Sequence, residues 1–264
     1  MPPDLYFALT LIVKMAVTAG FVLAATVTAE RAGPLVGGLV STLPIGAGPV
    51  YVFLALDHDA HFIAQSAVAS LTINAVNVAF ATFYVLLAQK RSLAVSMAVS
   101  LAAWIALALF VYWVQWTLFT ALAANIVVLG VSLWLVRPLR HVTMLPVRTR
   151  WYDLAMRALL VAILVGVVVG LSFRIGPSGS GLLAVFPVVL ISVMLILHNR
   201  VGGKPAAAVL ANAPLGLIGF AFACALLNLT AQPLGVTVGL ALALATAIGW
   251  SLLVLAARRH GIAV

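Results

Sequence analysis

The chain has 264 residues, of which 65% are hydrophobic and 7% charged, with a mean hydropathy of +1.25. Soluble domains are about 45–50% apolar and about 25% charged, and nineteen charged side chains cannot cover a soluble protein of this size, so the soluble classes are excluded. The net charge of +9 would point to nucleic acid in a soluble domain; in a chain this apolar it concerns the two faces of a bilayer, and no nucleic-acid partner is expected.

A bilayer core of about 30 Å takes roughly 20 apolar residues per helix, and the sequence divides into nine such segments. The first, 6–29, follows Met1-Pro2-Pro3-Asp4, which lacks a basic leader, so it is expected to be a retained span rather than a cleaved signal. The second, 35–56, carries Gly37, Gly38, Ser41, Thr42, Pro44, Gly46, Gly48 and Pro49. Asp57-His58-Asp59-Ala60-His61 follows; such spacing suits a divalent metal, but a short polar hairpin is the preferred reading and no metal or other cofactor is expected. The third segment, 62–88, holds Thr72, Asn74 and Asn77. Residues 93–136 as one helix would reach about 66 Å, so they fold back at Tyr112, Trp113, Gln115, Trp116 and Thr117, an aromatic belt around a polar tip, giving spans 93–113 and 116–136. The basic loop 137–153, with Trp151 and Tyr152, reads as an inner-leaflet anchor. Segments 154–173, 180–198, 206–227 and 234–257 complete the set, and Cys224, the single cysteine, sits in an apolar run.

With the N-terminus outside, twelve basic residues (Arg31, Lys90, Arg91, Arg137, Arg140, Arg148, Arg150, Arg157, Arg200, Lys204, Arg258 and Arg259) fall at the inner face. Arg174 falls outside and Lys14 within the first span. The positive-inside rule therefore predicts an outer N-terminus and a cytoplasmic C-terminus.

Two stretches match at one constant offset, the distance from Arg31 to Arg174. Arg31, Gly33-Pro34, Gly38-Leu39 and Pro44 recur as Arg174, Gly176-Pro177, Gly181-Leu182 and Pro187, and eight of the 31 positions between 14–44 and 157–187 are identical. The same offset pairs Lys14 with Arg157; with about five residues deleted, Asn74 meets Asn212. The predicted architecture is an all-α bundle of two four-helix repeats, 1–113 and 154–264, joined by a linking span and basic loop, 114–153. Five spans separate the mates, so the copies cross in opposite directions.

Inverted repeats recur in transporters, where two halves of opposite orientation give two near-equivalent states around a midplane site, often at helices broken by Gly or Pro. The candidate substrate-binding positions are therefore Pro44, Pro187, Gly38, Gly181, Ser41 and Thr42 at the paired breaks, with Asn74, Asn212, Lys14 and Arg157. Each has an ordinary alternative: a proline makes a kink, an asparagine ties helices together, and a cation snorkels to the headgroups. Membrane lipids and an unidentified small molecule are the expected partners, with homo-oligomerisation open and a mild preference for an anionic group. No carboxylate is expected at membrane depth. With almost no titratable group inside the spans, an enzyme is not expected. A non-transporting scaffold for envelope assembly is the alternative; a cavity opening sideways into the bilayer would instead indicate a lipid translocase.

Lys14…Gly38-Leu39…Pro44 and Arg157…Gly181-Leu182…Pro187 share one pattern: a basic residue, Gly-Leu 24 positions on, and Pro at 30. It resembles that of the GlpM-like family of small four-helix bacterial inner-membrane proteins, whose members carry one copy. The resemblance implies a bacterial inner-membrane location and loose links to envelope and glycerol-related physiology; it supplies no substrate and no catalytic residue. The chain departs from the family in its tandem fusion and extra linking span.

Overall fold

The computed structural model describes residues 3–31, 46–139 and 151–259. Among these the chain forms ten α-helices and no strand: α1 (Pro3–Arg31), α2 (Ala47–Asp57), α3 (Ala60–Ala88), α4 (Leu93–Trp113), α5 (Leu118–Val136), α6 (Trp151–Ala184), α7 (Val188–Val201), α8 (Gly203–Leu210), α9 (Ala213–Ala231) and α10 (Val236–Arg259). Among the described residues, seven stretches are long and apolar enough to cross a membrane, so this is an apolar helical bundle of the kind a membrane protein has. Large hydrophobic side chains on the outer helices, among them Phe21, Phe110, Ile126 and Leu253, are exposed. Hydrocarbon accommodates them; water would not.

Local chemistry sets where the central helices begin. Asp59 accepts from the Phe62 amide at 2.8 Å and starts α3. Ser92 caps α4 through Val95. Thr117 and Thr120 exchange side-chain-to-backbone bonds in a capping box at the head of α5. Each cap takes up amide donors that the first helical turn leaves without partners. The hairpin at 112–117 therefore lies where the aromatic–polar cluster places it, and spans 93–113 and 116–136 correspond to α4 and α5.

The later spans are more broken than their apolar runs suggest. α6 runs through the predicted end of the sixth span and turns at Gly176, whose φ of +66° lies where only glycine is comfortable, followed by Pro177. The predicted seventh span is divided between the tail of α6 and α7 by Val185, Phe186 and Pro187. The eighth is divided at Ala211 and Asn212, ahead of Pro214. Proline lacks the amide hydrogen that the ladder needs, which accounts for both interruptions.

α3 is the hub: 78% of its most apolar window is buried, against 11% for α1 and 17% for α10. Pair contacts give the directions. A methyl group on Gly166 would meet Met15 Sδ at 2.7 Å, and one on Gly170 would meet Leu11 at 3.3 Å; as one number rises the other falls, so α1 and α6 run antiparallel through a small-xxx-small face. Asn74 donates to the Leu217 carbonyl and Asn228 to the Ala64 carbonyl, so α3 and α9 are antiparallel too. By contrast Ser70 reaches Gly181, Asn77 reaches Val185 and Tyr84 reaches His198. The segment 177–201 therefore runs parallel to α3.

Candidate functional site

Between α1, α2, α9 and α10 lies a cavity of about 440 Å³, within the range of small-molecule pockets. Its lining includes Val17 and Phe21 from α1, Tyr51 and Phe53 from α2, Cys224 from α9 and Leu240 from α10. The lining is almost wholly apolar because its polar atoms are committed elsewhere. Thr18 donates to the Lys14 carbonyl at 2.8 Å. Tyr51 hydroxyl lies 2.7 Å from Ser70 Oγ, and since Ser70 donates its own hydrogen to the Gly181 carbonyl, Tyr51 is the donor in that contact. The cavity opens sideways: Val17, Phe21, Val52 and Leu244 at its edge are also among the exposed hydrophobic residues.

A charged pair lies one helical turn beyond the lining at one end of this cavity. Lys14, on α1 one turn before Thr18, directs Nζ at both carboxylate oxygens of Asp57, at 2.7 and 2.6 Å. Asp57 ends α2 one turn beyond Phe53, and the Phe53 ring centroid lies 5.9 Å from the ammonium. A cation inside an apolar helix is tolerated when it finds such a partner. The remainder of the acidic-histidine loop is engaged in packing. His58 Nε2 is 2.7 Å from Ser172 Oγ on α6, and its ring stacks on Phe62. Burial lowers the pKa of His58, with Lys14 acting in the same direction and Asp57 and Asp59 opposing. Asp59 is the α3 cap, and His61 contacts Gln65 and Gln232. No group of three metal-ligating side chains forms among the described residues.

Gly38, Ser41, Thr42 and Pro44 lie outside the described residues. Gly181 sits against α3 so closely that a methyl group there would run into the Ser66 carbonyl and reach Ala69 Cβ at 2.8 Å. Pro187 follows a turn in which Phe186 donates to Leu183 and Asn77 takes the Val185 carbonyl. Asn74 donates to Asn125 at 2.8 Å and to Leu217 at 3.1 Å, and Asn212 donates to Ala208. Both asparagines make interhelical or local bonds, and the structure does not join them to Lys14. Arg157 is half-buried on α6, one turn after Asp153, which pairs with Arg200 of α7 at 2.6 Å.

Sequence reasoning missed Asp57 as the partner of Lys14, missed Asn125 and Phe53 altogether, and named Cys224 only as a residue of an apolar run, not as part of a cavity wall. One signal was present for Asp57: it precedes Arg200 by the same offset that separates Lys14 from Arg157. Asp57 stands at the end of α2 and is paired with Lys14 on α1, and Arg200 stands near the end of α7 and is paired with Asp153 on α6. A search of family models, of curated proteins and of solved structures finds nothing that matches this chain.

Proposed function

We propose that the chain is a nine-span transporter of an amphiphilic, lipid-like substrate, working by alternating access between two inverted repeats. We place it in a bacterial inner membrane with the N-terminus outside and the C-terminus cytoplasmic, as a tandem relative of the GlpM-like proteins that moves its substrate without altering it. The observation that carries this is the lateral apolar cavity, together with what occupies the repeat-related position. In the proposed pairing, α1, α2, α9 and α10 correspond to α6, α7, α3 and α4. There Trp104 meets Phe186 edge-on at 5.0 Å, and Tyr84, Met194 and Leu210 pack in the same buried cluster. Among the described residues a cavity stands on one side and packed side chains on the proposed mate, as an inverted-repeat transporter caught in one of its two states would have. The antiparallel pairing of α1 with α6 and of α3 with α9 supports the inverted relationship.

The apolar lining favours a hydrocarbon chain over a small polar solute, which among the described lining residues would find almost no polar surface. The alternative of a non-transporting scaffold draws on the close packing of α3 around Gly181. Reconstitution separates the two. Liposomes holding the protein should move a fluorescent phospholipid between leaflets faster than empty liposomes, and Ala223→Phe, which fills the cavity, should return the rate to that of the lipid alone. Equal rates with and without wild-type protein would leave the scaffold.

A further inference from the structure

We infer that Lys14 and Asp57 form a headgroup site at the charged end of the cavity, and that the amphiphile it selects is zwitterionic. The inference rests on the transporter reading above and sharpens its substrate class. Both residues lie one helical turn beyond the cavity lining on their own helices, Lys14 before Thr18 and Asp57 after Phe53. Their side chains are 11% and 24% exposed, so the pair is partly open to a ligand rather than sealed.

Charge decides the headgroup. Lysine taken alone would favour an anion. With both carboxylate oxygens within 2.7 Å of its ammonium, the pair carries no net charge, and an incoming anion meets the Asp57 carboxylate as closely as it meets Lys14. A cationic head is opposed by Lys14 in the same way. A zwitterion has a charge for each: its phosphate can take the ammonium hydrogen that Asp57 does not use, while its amine or quaternary ammonium faces the carboxylate. The apolar cavity then receives the chain.

The other half repeats the arrangement with the signs exchanged. Arg200 is the mate of Asp57 at the repeat offset, and Asp153 stands one turn before Arg157, the mate of Lys14. Arg200 donates to Asp153 at 2.8 and 2.6 Å. What the two proposed halves share is therefore a cation–anion contact joining the first helix to the end of the second element, whichever residue carries which charge. In the inverted arrangement these pairs lie toward opposite ends, so a headgroup would meet the same kind of site on entering and on leaving.

The test uses purified full-length protein and two spin-labelled lysolipids of equal chain length, lysophosphatidylcholine and the anionic lysophosphatidylglycerol. Wild type should bind the choline lipid at least tenfold more tightly, and glycerophosphocholine, which has the head without the chain, should not compete. Lys14→Gln/Asp57→Asn keeps a hydrogen-bonded pair without charge; it should fold and bind the two lipids within about twofold of each other. Asp57→Asn alone leaves a net positive charge and should reverse the preference toward the anionic lipid. Equal binding by wild type, or a choline preference that survives the double substitution, overturns the headgroup site and leaves the cavity reading standing. Failure of wild type to bind either lipid, or binding that persists in Ala223→Phe, overturns the cavity reading and the headgroup site with it.

Discussion

His58 shows how one side chain couples the loop after α2 to α6. Ser172 donates its hydrogen to the Val169 carbonyl, so the short contact with His58 requires hydrogen on Nε2 of the imidazole. Burial favours the neutral ring and lowers its pKa, with the nearby Lys14 adding to that effect and Asp57 and Asp59 opposing it. A histidine whose pKa is lower in the folded state stabilises the fold above its unfolded value, about 6.5, and this contribution is lost as pH falls through the folded value. Thermal stability in detergent should therefore decline from pH 7.5 to pH 5.5, and His58→Gln, which keeps a donor and cannot titrate, should flatten that part of the profile. Gly181 is a second single-residue constraint. Its α-carbon hydrogen is all that fits against the Ser66 carbonyl, so Gly181→Val should lose at least about 1–3 kcal/mol through overpacking. Gly48, beside which an added methyl group has nothing within 4 Å, should tolerate alanine; melting temperatures of the two variants check the contrast.

At the scale of elements, the sequence marks the beginnings of helices better than their interruptions. Asp59, Ser92 and Thr117 are cap residues at the heads of apolar runs, a local chemistry that is visible without a fold. The divisions at Pro187 and Asn212 were less legible, because hydropathy continues unbroken through both and a proline alone does not say whether a helix bends or stops. Tertiary bonding settles it at Val185. Asn77 donates to that carbonyl at 2.8 Å and accepts from Trp104 Nε1 at 2.7 Å, so one side chain takes up the backbone group at the break and fixes the aromatic ring that fills the adjacent space. The sequence shows Asn77 as a polar residue in an apolar helix but not which two elements it joins. Asn77→Leu should strand both groups and lower stability by about 1–3 kcal/mol, toward the lower end if they find other partners in the membrane. Chemical denaturation in mixed micelles, with Trp104→Phe as the partner substitution, gives the coupling between them: the double variant should be less destabilised than the sum of the two singles.

For the whole molecule, the constant offset relating Lys14 to Arg157 and Arg31 to Arg174 is the feature of the sequence on which the proposed repeat rests, and it carries no information on how the two proposed halves pack. Among the described residues, Trp104 and Phe186 fill one side, whereas Ala223, Ala241 and Ala243 leave room among Phe21, Phe53 and Phe220 on the other. Under the proposed transport cycle this asymmetry belongs to one conformation, and the proposed repeat describes only what two conformations have in common. If the open and filled sides exchange during transport, the Trp104–Phe186 contact must separate each time the far side opens, while the cavity beside Cys224 must close. Replacing Trp104 and Phe186 by cysteine in a Cys224→Ser background and joining them with a short bis-maleimide should hold the filled side shut. Lipid movement in liposomes should then fall to the rate without protein, while binding of a spin-labelled lysolipid to the open cavity is retained. The unlinked double-cysteine protein, carrying the same substitutions, should still move lipid and so separates the effect of the link from that of lost packing. Undiminished movement after complete linking would show that the two sides do not alternate, and the cavity would then be a fixed lipid site on a static bundle.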